Sequence, residues 1–69
     1  MPNFDYLDRL AELPDLEEKI GVLSSGERMY VALAANRPDL LAKGDTIAYA
    51  IWRLGPQWVN ELAERHRCD

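Results

Sequence analysis

The chain has 69 residues, of which 48% are hydrophobic and 29% charged, and its formal net charge is −4. This length allows one domain, and the composition is too apolar for a disordered chain. The single cysteine excludes an intramolecular disulfide, so hydrophobic packing must hold the fold together, and the acidic balance disfavours nucleic acid as a partner.

The first half of the chain predicts two short helices. Apolar side chains recur at three- and four-residue intervals from Phe4, which indicates a helix over residues 4–12. Pro14 ends this helix, because proline disfavours a helical conformation at the residue before it. Asp15 can cap a second helix over residues 15–23, in which Gly21 is a weak point.

A third helix is predicted for residues 25–36. Ser24 and Glu27 have the S-x-x-E spacing of a capping box, in which each side chain accepts a hydrogen bond from the other residue's backbone N–H. Seven consecutive apolar residues follow, from Met29 to Ala35, and the helix is expected to stop near Pro38. A helix that is apolar on every side needs to be surrounded by other elements.

The last third of the chain predicts a single helical turn at residues 39–42 and then two helices, over residues 46–54 and 56–67. Asp45 or Thr46 can cap the first of these helices, Gly55 can end it in the left-handed conformation, and Pro56 can open the next one. No segment alternates with the period of a strand. The predicted fold is therefore all-α, a compact bundle of four to five short helices in a single domain over residues 1–69.

Six of the twelve acidic residues fall in the first eighteen positions, where Arg9 is the only basic residue. Helical spacing places several of them on one side of the chain. We call this predicted surface the acidic face: Asp5, Asp8, Glu12, Asp15, Glu17 and Glu18. It has ordinary explanations, including an Asp5 to Arg9 ion pair, favourable charge at a helix N-terminus and solubility. The functional interpretation is docking on a basic surface of a larger protein, including a groove that normally holds nucleic acid.

The helix predicted for residues 46–54 is apolar nearly all round. One side carries Ile47, Ala50, Ile51 and Leu54, and the other carries Tyr49 and Trp52. Because only one helix of so small a bundle can be enclosed completely, the aromatic face, Tyr49 and Trp52, is expected to stay available to a second copy or to another protein. The alternative is that these rings complete the core with Phe4, Tyr6 and Trp58.

No group of residues in the sequence has the spacing of a known chemistry. His66 and Cys68 lack the further ligands of a zinc site, and helix capping explains Ser24. We expect His66, with the arginines beside it, to complement the carbonyls of the last helical turn. The segment from Lys43 to Thr46 lacks the spacing of a phosphate-binding loop. We therefore expect no enzyme activity, no catalytic residue, no cofactor and no metal site.

The preferred functional hypothesis is a small acidic protein-interaction module. It would be an adaptor or an inhibitor of the kind that phages and other mobile elements direct against host nucleic-acid enzymes, including CRISPR effectors. One alternative is a helix-turn-helix DNA-binding protein, since residues 46–67 have that outline, although only Arg65 and Arg67 could reach phosphates and the sequence pI is about 4.8. The other alternative is a homodimeric structural protein.

The sequence also predicts where the protein is found. Its opening residues, MPNFDYLDRL, lack the basic and apolar regions of a secretory signal, and no apolar run approaches the roughly eighteen residues needed to span a bilayer. A lone cysteine is typical of a reducing compartment. We therefore expect a soluble, cytoplasmic protein without a membrane partner.

Overall fold

The computed structural model describes residues 3–67. Its helices are α1 (Phe4–Ala11), α2 (Leu16–Lys19), α3 (Ser25–Ala34) and α4 (Ile47–Arg65), and short 3-10 turns lie at Ile20–Val22 and Pro38–Leu40. The described part of the chain contains no strand. The predicted all-α bundle is confirmed. No helix in residues 3–67 is both long and apolar enough to cross a membrane.

Helix α3 lies at the centre of the bundle. Its residues Tyr30, Val31 and Ala32 have no exposed surface, and Met29 is buried beside them. Helices α1 and α4 both pack against α3, as does the turn at Pro38–Leu40. The unbroken apolar run of the sequence therefore belongs to the one helix that the others surround.

Both ends of α3 are closed by local hydrogen bonds. At its start the Glu27 N–H donates to Ser24 Oγ at 3.3 Å, and the Ser24 N–H donates to Glu27 Oε1 at 3.1 Å, so the predicted capping box is present. At its end Asn36 adopts a positive φ of 57°, and the Arg37 N–H donates to the Ala32 carbonyl at 2.8 Å. This is a Schellman closure, in which asparagine takes the place that glycine usually has.

Helix α4 combines the last two predicted helices. Thr46 caps it, since Thr46 Oγ1 accepts a hydrogen bond from the Tyr49 N–H at 3.0 Å. Gly55 interrupts it with φ 84° and ψ 168°, so residues 47–54 and 56–65 are two helical halves that meet at one non-helical residue. The predicted boundary at Gly55 and Pro56 is therefore correct. The predicted end at residue 67 is too late, because Arg65 is the last helical residue and His66 caps it.

The second predicted helix is shorter than expected. The α-helical part is only Leu16–Lys19, and the chain tightens to a 3-10 turn at Ile20–Val22, where Gly21 lies. The prediction of a helix over residues 15–23 was too long because glycine weakens helical propagation. Asp15 does precede the helix, but its side chain makes no capping hydrogen bond.

The core is built on an aromatic cluster between α1, α3 and α4. The ring centroids of Phe4 and Tyr30 are 5.2 Å apart, those of Phe4 and Trp58 are 5.4 Å apart, and those of Tyr30 and Trp58 are 6.2 Å apart. Tyr49 and Trp52 are outside this cluster and contact each other at the surface, with centroids 5.9 Å apart. The first half of α4 contributes only Ala50 and Leu54 to the buried core.

Replacing Gly55 and Gly21 by alanine should have opposite consequences. At Gly55 a Cβ would meet no atom within 4 Å, so the cost of Gly55→Ala comes from the backbone conformation alone, about 1 to 3 kcal/mol of unfolding free energy. Gly21 has similar free space and no positive φ, so Gly21→Ala should be neutral or stabilise by about 0.4 to 1 kcal/mol. Urea denaturation of the two variants measures the difference, and equal effects would show that Gly55 is not strained.

Candidate interaction surfaces

Arg65 binds much of the charge at the start of α1. Its Nη1 donates to Asp5 Oδ1 at 2.8 Å and to Asp8 Oδ2 at 3.0 Å, and its Nε donates to Glu61 Oε2 at 2.9 Å. Its guanidinium also lies 5.4 Å from the centroid of the Phe4 ring. The predicted pair between Asp5 and Arg9 does not form, because the fold brings the end of α4 beside α1 and offers Asp5 a better-placed arginine.

Asp8 is the centre of a hydrogen-bond cluster. Its Oδ1 accepts from the Tyr30 hydroxyl at 2.8 Å and lies 2.7 Å from His66 Nε2. Partial burial would raise the pKa of Asp8, but the hydrogen bonds from Tyr30, His66 and Arg65 outweigh it and lower this pKa below the usual 3.8. Burial and the bond to Asp8 raise the pKa of the Tyr30 hydroxyl. His66 and Arg65 therefore join α4 to α1, and their side-chain hydrogen bonds go to carboxylates while Arg65 also places a positive charge in the last turn of α4.

The other carboxylates of the acidic face divide into two groups. Glu17 accepts a hydrogen bond from Arg37 Nη2 at 3.1 Å, and Asp15 lies 3.7 Å from Lys19 Nζ. Glu12 and Glu18 form no ion pair within residues 3–67. Four of the six predicted residues thus have a cationic partner inside the same chain, and Glu12 and Glu18 have none within residues 3–67. The surface stays anionic, because Arg65 is shared by three carboxylates and Arg37 by two.

The first half of α4 carries a continuous exposed apolar surface. Trp52 is 75% exposed, and Ile47, Ile51 and Tyr49 are 48%, 44% and 42% exposed. At about 100° per residue, these side chains and the exposed Ala48 fill an arc of roughly 200° with no charged residue between them. We call the four large side chains the apolar patch: Ile47, Tyr49, Ile51 and Trp52.

The position of Ile47 and Ile51 corrects the predicted face of this helix. The pattern grouped them with Ala50 and Leu54, but only Ala50 and Leu54 are buried. The rest of the bundle covers only a narrow side of the first half of α4. That side carries Ala50 and Leu54, which are four positions apart. The two isoleucines lie just beyond its edge and join the aromatic face at the surface.

A cleft of about 270 Å³ borders the apolar patch. It lies between α3, the connection that leads to α4, and the first half of α4. Four larger polar or aromatic residues and four smaller or apolar ones line it: Arg28, Asp45, Tyr49 and Arg53, with Leu23, Ser25, Met29 and Ala42.

Two arginines of this cleft have guanidinium groups without a carboxylate partner. Arg28 Nε donates to the Leu40 carbonyl at 2.8 Å, which holds the side chain in place. Neither Arg28 nor Arg53 forms an ion pair with any residue from 3 to 67. Sequence reasoning missed this site, because the two arginines are far apart in the chain and belong to no motif.

The remaining sequence expectations concern metal and DNA. Within the described residues no group of three His, Cys, Asp or Glu side chains could hold a metal ion, and Cys68 lies outside those residues. A single non-helical residue, Gly55, separates the halves of α4, whereas a helix-turn-helix has a turn of three or four residues. Arg65, one of the two predicted phosphate ligands, is bound to three carboxylates.

Comparison with known proteins found no family model, no curated protein and no solved structure that matches this chain. The functional interpretation of the apolar patch and the cleft therefore depends on their own geometry.

The Asp8 cluster should make stability depend on pH in the acidic range. Because the pKa of Asp8 is lowered in the folded state, its contribution is present above the unfolded pKa and is lost as the pH falls through the folded pKa. Asp8→Asn should therefore lower the unfolding free energy by about 1 to 2 kcal/mol at pH 7 and by progressively less below about pH 4. Thermal unfolding between pH 2 and pH 7 measures this difference.

Glu12→Gln is the matched control for Asp8→Asn. Glu12 is an exposed carboxylate at the end of the same helix, with no ion pair in the described part of the chain. Its replacement should change the melting temperature little at any pH. A constant difference between Asp8→Asn and the unaltered protein from pH 2 to pH 7 would show that the ionised Asp8 carboxylate is not what stabilises the contact.

Proposed function

We propose that this chain is a protein-interaction module that docks on a larger protein through the apolar patch of α4. The observation that carries the proposal is Trp52, a tryptophan that is 75% exposed and belongs to a continuous apolar surface. Exposed apolar patches of this kind mark interaction sites, and tryptophan and tyrosine are the residues that most often dominate binding energy. Other exposed apolar residues, such as Val22 and Tyr6, are on different elements.

The shape of the patch favours a partner that offers a groove. Ile47 and Ile51 are four positions apart and Tyr49 and Trp52 are three, and together the four side chains cover an arc of roughly 200° that a groove can enclose. From the exposed fractions, the four side chains present roughly 400 to 500 Å², while a stable interface uses about 800 Å² of each partner. A groove that encloses the helix would add further contacts, whereas two copies that meet only through this patch would remain below that area.

The acidic face is the weaker candidate for the docking surface. Arg65 and Arg37 already bind Asp5, Asp8 and Glu17, so a basic partner would compete with these arginines for the same carboxylates. Glu12 and Glu18 are exposed and add to the net charge of −4, which can speed the approach of a cationic partner. As an adaptor or as an inhibitor, the protein would act by occupying a groove of its partner, without covalent chemistry.

Trp52→Ala should weaken partner binding strongly and leave the fold intact. Loss of a central tryptophan weakens interfaces by about 2 kcal/mol or more, roughly thirtyfold in affinity, whereas an exposed substitution changes stability by about 0.5 kcal/mol or less. Affinity capture with the tagged protein from its native cells, followed by quantification of the captured proteins, measures the loss. Circular dichroism with thermal melting checks the fold.

Two control variants make this experiment specific. Tyr6→Ala removes a half-exposed aromatic ring from α1 and should leave capture unchanged. The double variant Glu12→Lys, Glu18→Lys reverses the charge of the two carboxylates of the acidic face that form no ion pair within residues 3–67, and it should also preserve capture. If capture instead survives Trp52→Ala and disappears in the double lysine variant, the acidic face is the docking surface and the proposal is wrong.

The purified protein should be a monomer. Because the patch is smaller than a stable dimer interface needs, light scattering should report a mass near 7.9 kDa at micromolar concentration. A mass near twice that value that falls to the monomer value in Trp52→Ala would show that the patch joins two copies of this chain.

A further inference from the structure

We infer that the partner segment that covers the apolar patch carries an aspartate or glutamate, and that its carboxylate enters the adjacent cleft and binds Arg28 and Arg53. The inference rests on the proposed function, because it adds a second contact to the same docking surface. The partner segment would be both apolar and acidic, whereas the sequence alone predicted a partner with a basic surface.

The patch and the cleft form one continuous surface. Tyr49 belongs to both, since its side chain lines the cleft and its ring contacts Trp52. Arg53 is four positions after Tyr49 and therefore follows it by about 40° around the helix, on the side away from Ile51. A partner segment that covers Trp52 and Tyr49 can therefore place its adjacent side chain in the cleft.

The charges of the cleft fit a carboxylate. Arg37 and Arg65 use their guanidinium groups in ion pairs within the chain, but Arg28 and Arg53 form none among residues 3–67. The Arg28 Nε bond to Leu40 leaves both Nη atoms of that side chain for another acceptor. Among residues 3–67, Asp45 is the one acidic residue that lines the cleft, so its lining carries two positive charges and one negative charge. Guanidinium groups bind carboxylates through paired, charge-assisted hydrogen bonds.

The cleft has room for an acidic side chain. Ligand pockets usually enclose about 300 to 1,000 Å³, and this cleft holds about 270 Å³. Leu23 and Met29 provide apolar walls against which the methylene groups of a glutamate can pack. The carboxylate then meets the guanidinium groups, while the neighbouring residues of the segment cover the apolar patch.

A phage-displayed library of short random peptides, selected on the full chain, tests this directly. The selected peptides should combine apolar residues with an enriched aspartate or glutamate. The strongest binder is then synthesised in two forms. The acidic peptide keeps its glutamate or aspartate, and the amide peptide has glutamine or asparagine in that position. Arg53→Gln should weaken the acidic peptide about tenfold and leave the affinity of the amide peptide unchanged, as expected for loss of one charge-assisted hydrogen bond.

Arg9→Gln is the matched control, because it removes the same charge from an exposed position of α1 that does not line the cleft. It should leave both affinities unchanged, and circular dichroism should show that Arg53→Gln is folded. An equal loss in Arg9→Gln and Arg53→Gln would mean that net charge, and not the cleft, attracts the peptide, and this would overturn the inference.

The selection also separates failure of this inference from failure of the proposed function. Apolar peptides without acid enrichment, which bind the unaltered protein but not Trp52→Ala, would overturn the acidic contact and leave the apolar patch as the docking surface. Enrichment of lysine or arginine would overturn the acidic contact in favour of a basic partner. Selected peptides that bind Trp52→Ala as well as the unaltered protein would overturn both proposals.

Discussion

The enclosure of α3 is the constraint from which the rest of this structure follows. Its Tyr30 ring is fully buried between Phe4 and Trp58, and its hydroxyl binds Asp8 on α1. A bundle this small has few apolar faces with which to surround one helix. Helix α1, the second half of α4 and the turn at Pro38–Leu40 serve that purpose. The first half of α4 is left with only a narrow buried side, and its other apolar residues remain at the surface.

The same arrangement changes the meaning of the acidic N-terminal region. A cluster of carboxylates in a sequence suggests an anionic surface, but here Arg65 and His66 bring cationic and hydrogen-bonding groups from the other end of the chain to Asp5 and Asp8. Exposed ion pairs of this kind add little stability one by one. Together with the Arg65 contact to the Phe4 ring, they place the end of α4 against α1. Asp5 and Asp8 therefore take part in contacts within the chain, although the group around Arg65 keeps a net negative charge.

The candidate interaction surface combines an apolar part, the patch on α4, with a positively charged part, the adjacent cleft. The apolar patch offers tryptophan, tyrosine and isoleucine with no charged residue among them, and the cleft beside it offers two arginines without carboxylate partners in the described part of the chain. Apolar area supplies binding energy, while two guanidinium groups supply selectivity for a partner of opposite charge. Such a surface suits recognition of another protein, which is the role we propose for it.

Local features of the sequence were sufficient to predict the helices, and only the tertiary structure decided which residues form the candidate site. The Ser24 and Glu27 capping box and the break at Gly55 were predicted correctly, because residues within four positions of each other determine them. The contact between Asp5 and Arg65 joins residues 60 positions apart, and the cleft joins Arg28 to Arg53. The exposure of Ile51 was also unpredictable, because a helix that is apolar all round carries no pattern to show which side its neighbours cover. Short-range hydrogen bonds and backbone preferences are written in the local sequence, whereas long-range pairing and exposure depend on how the helices pack.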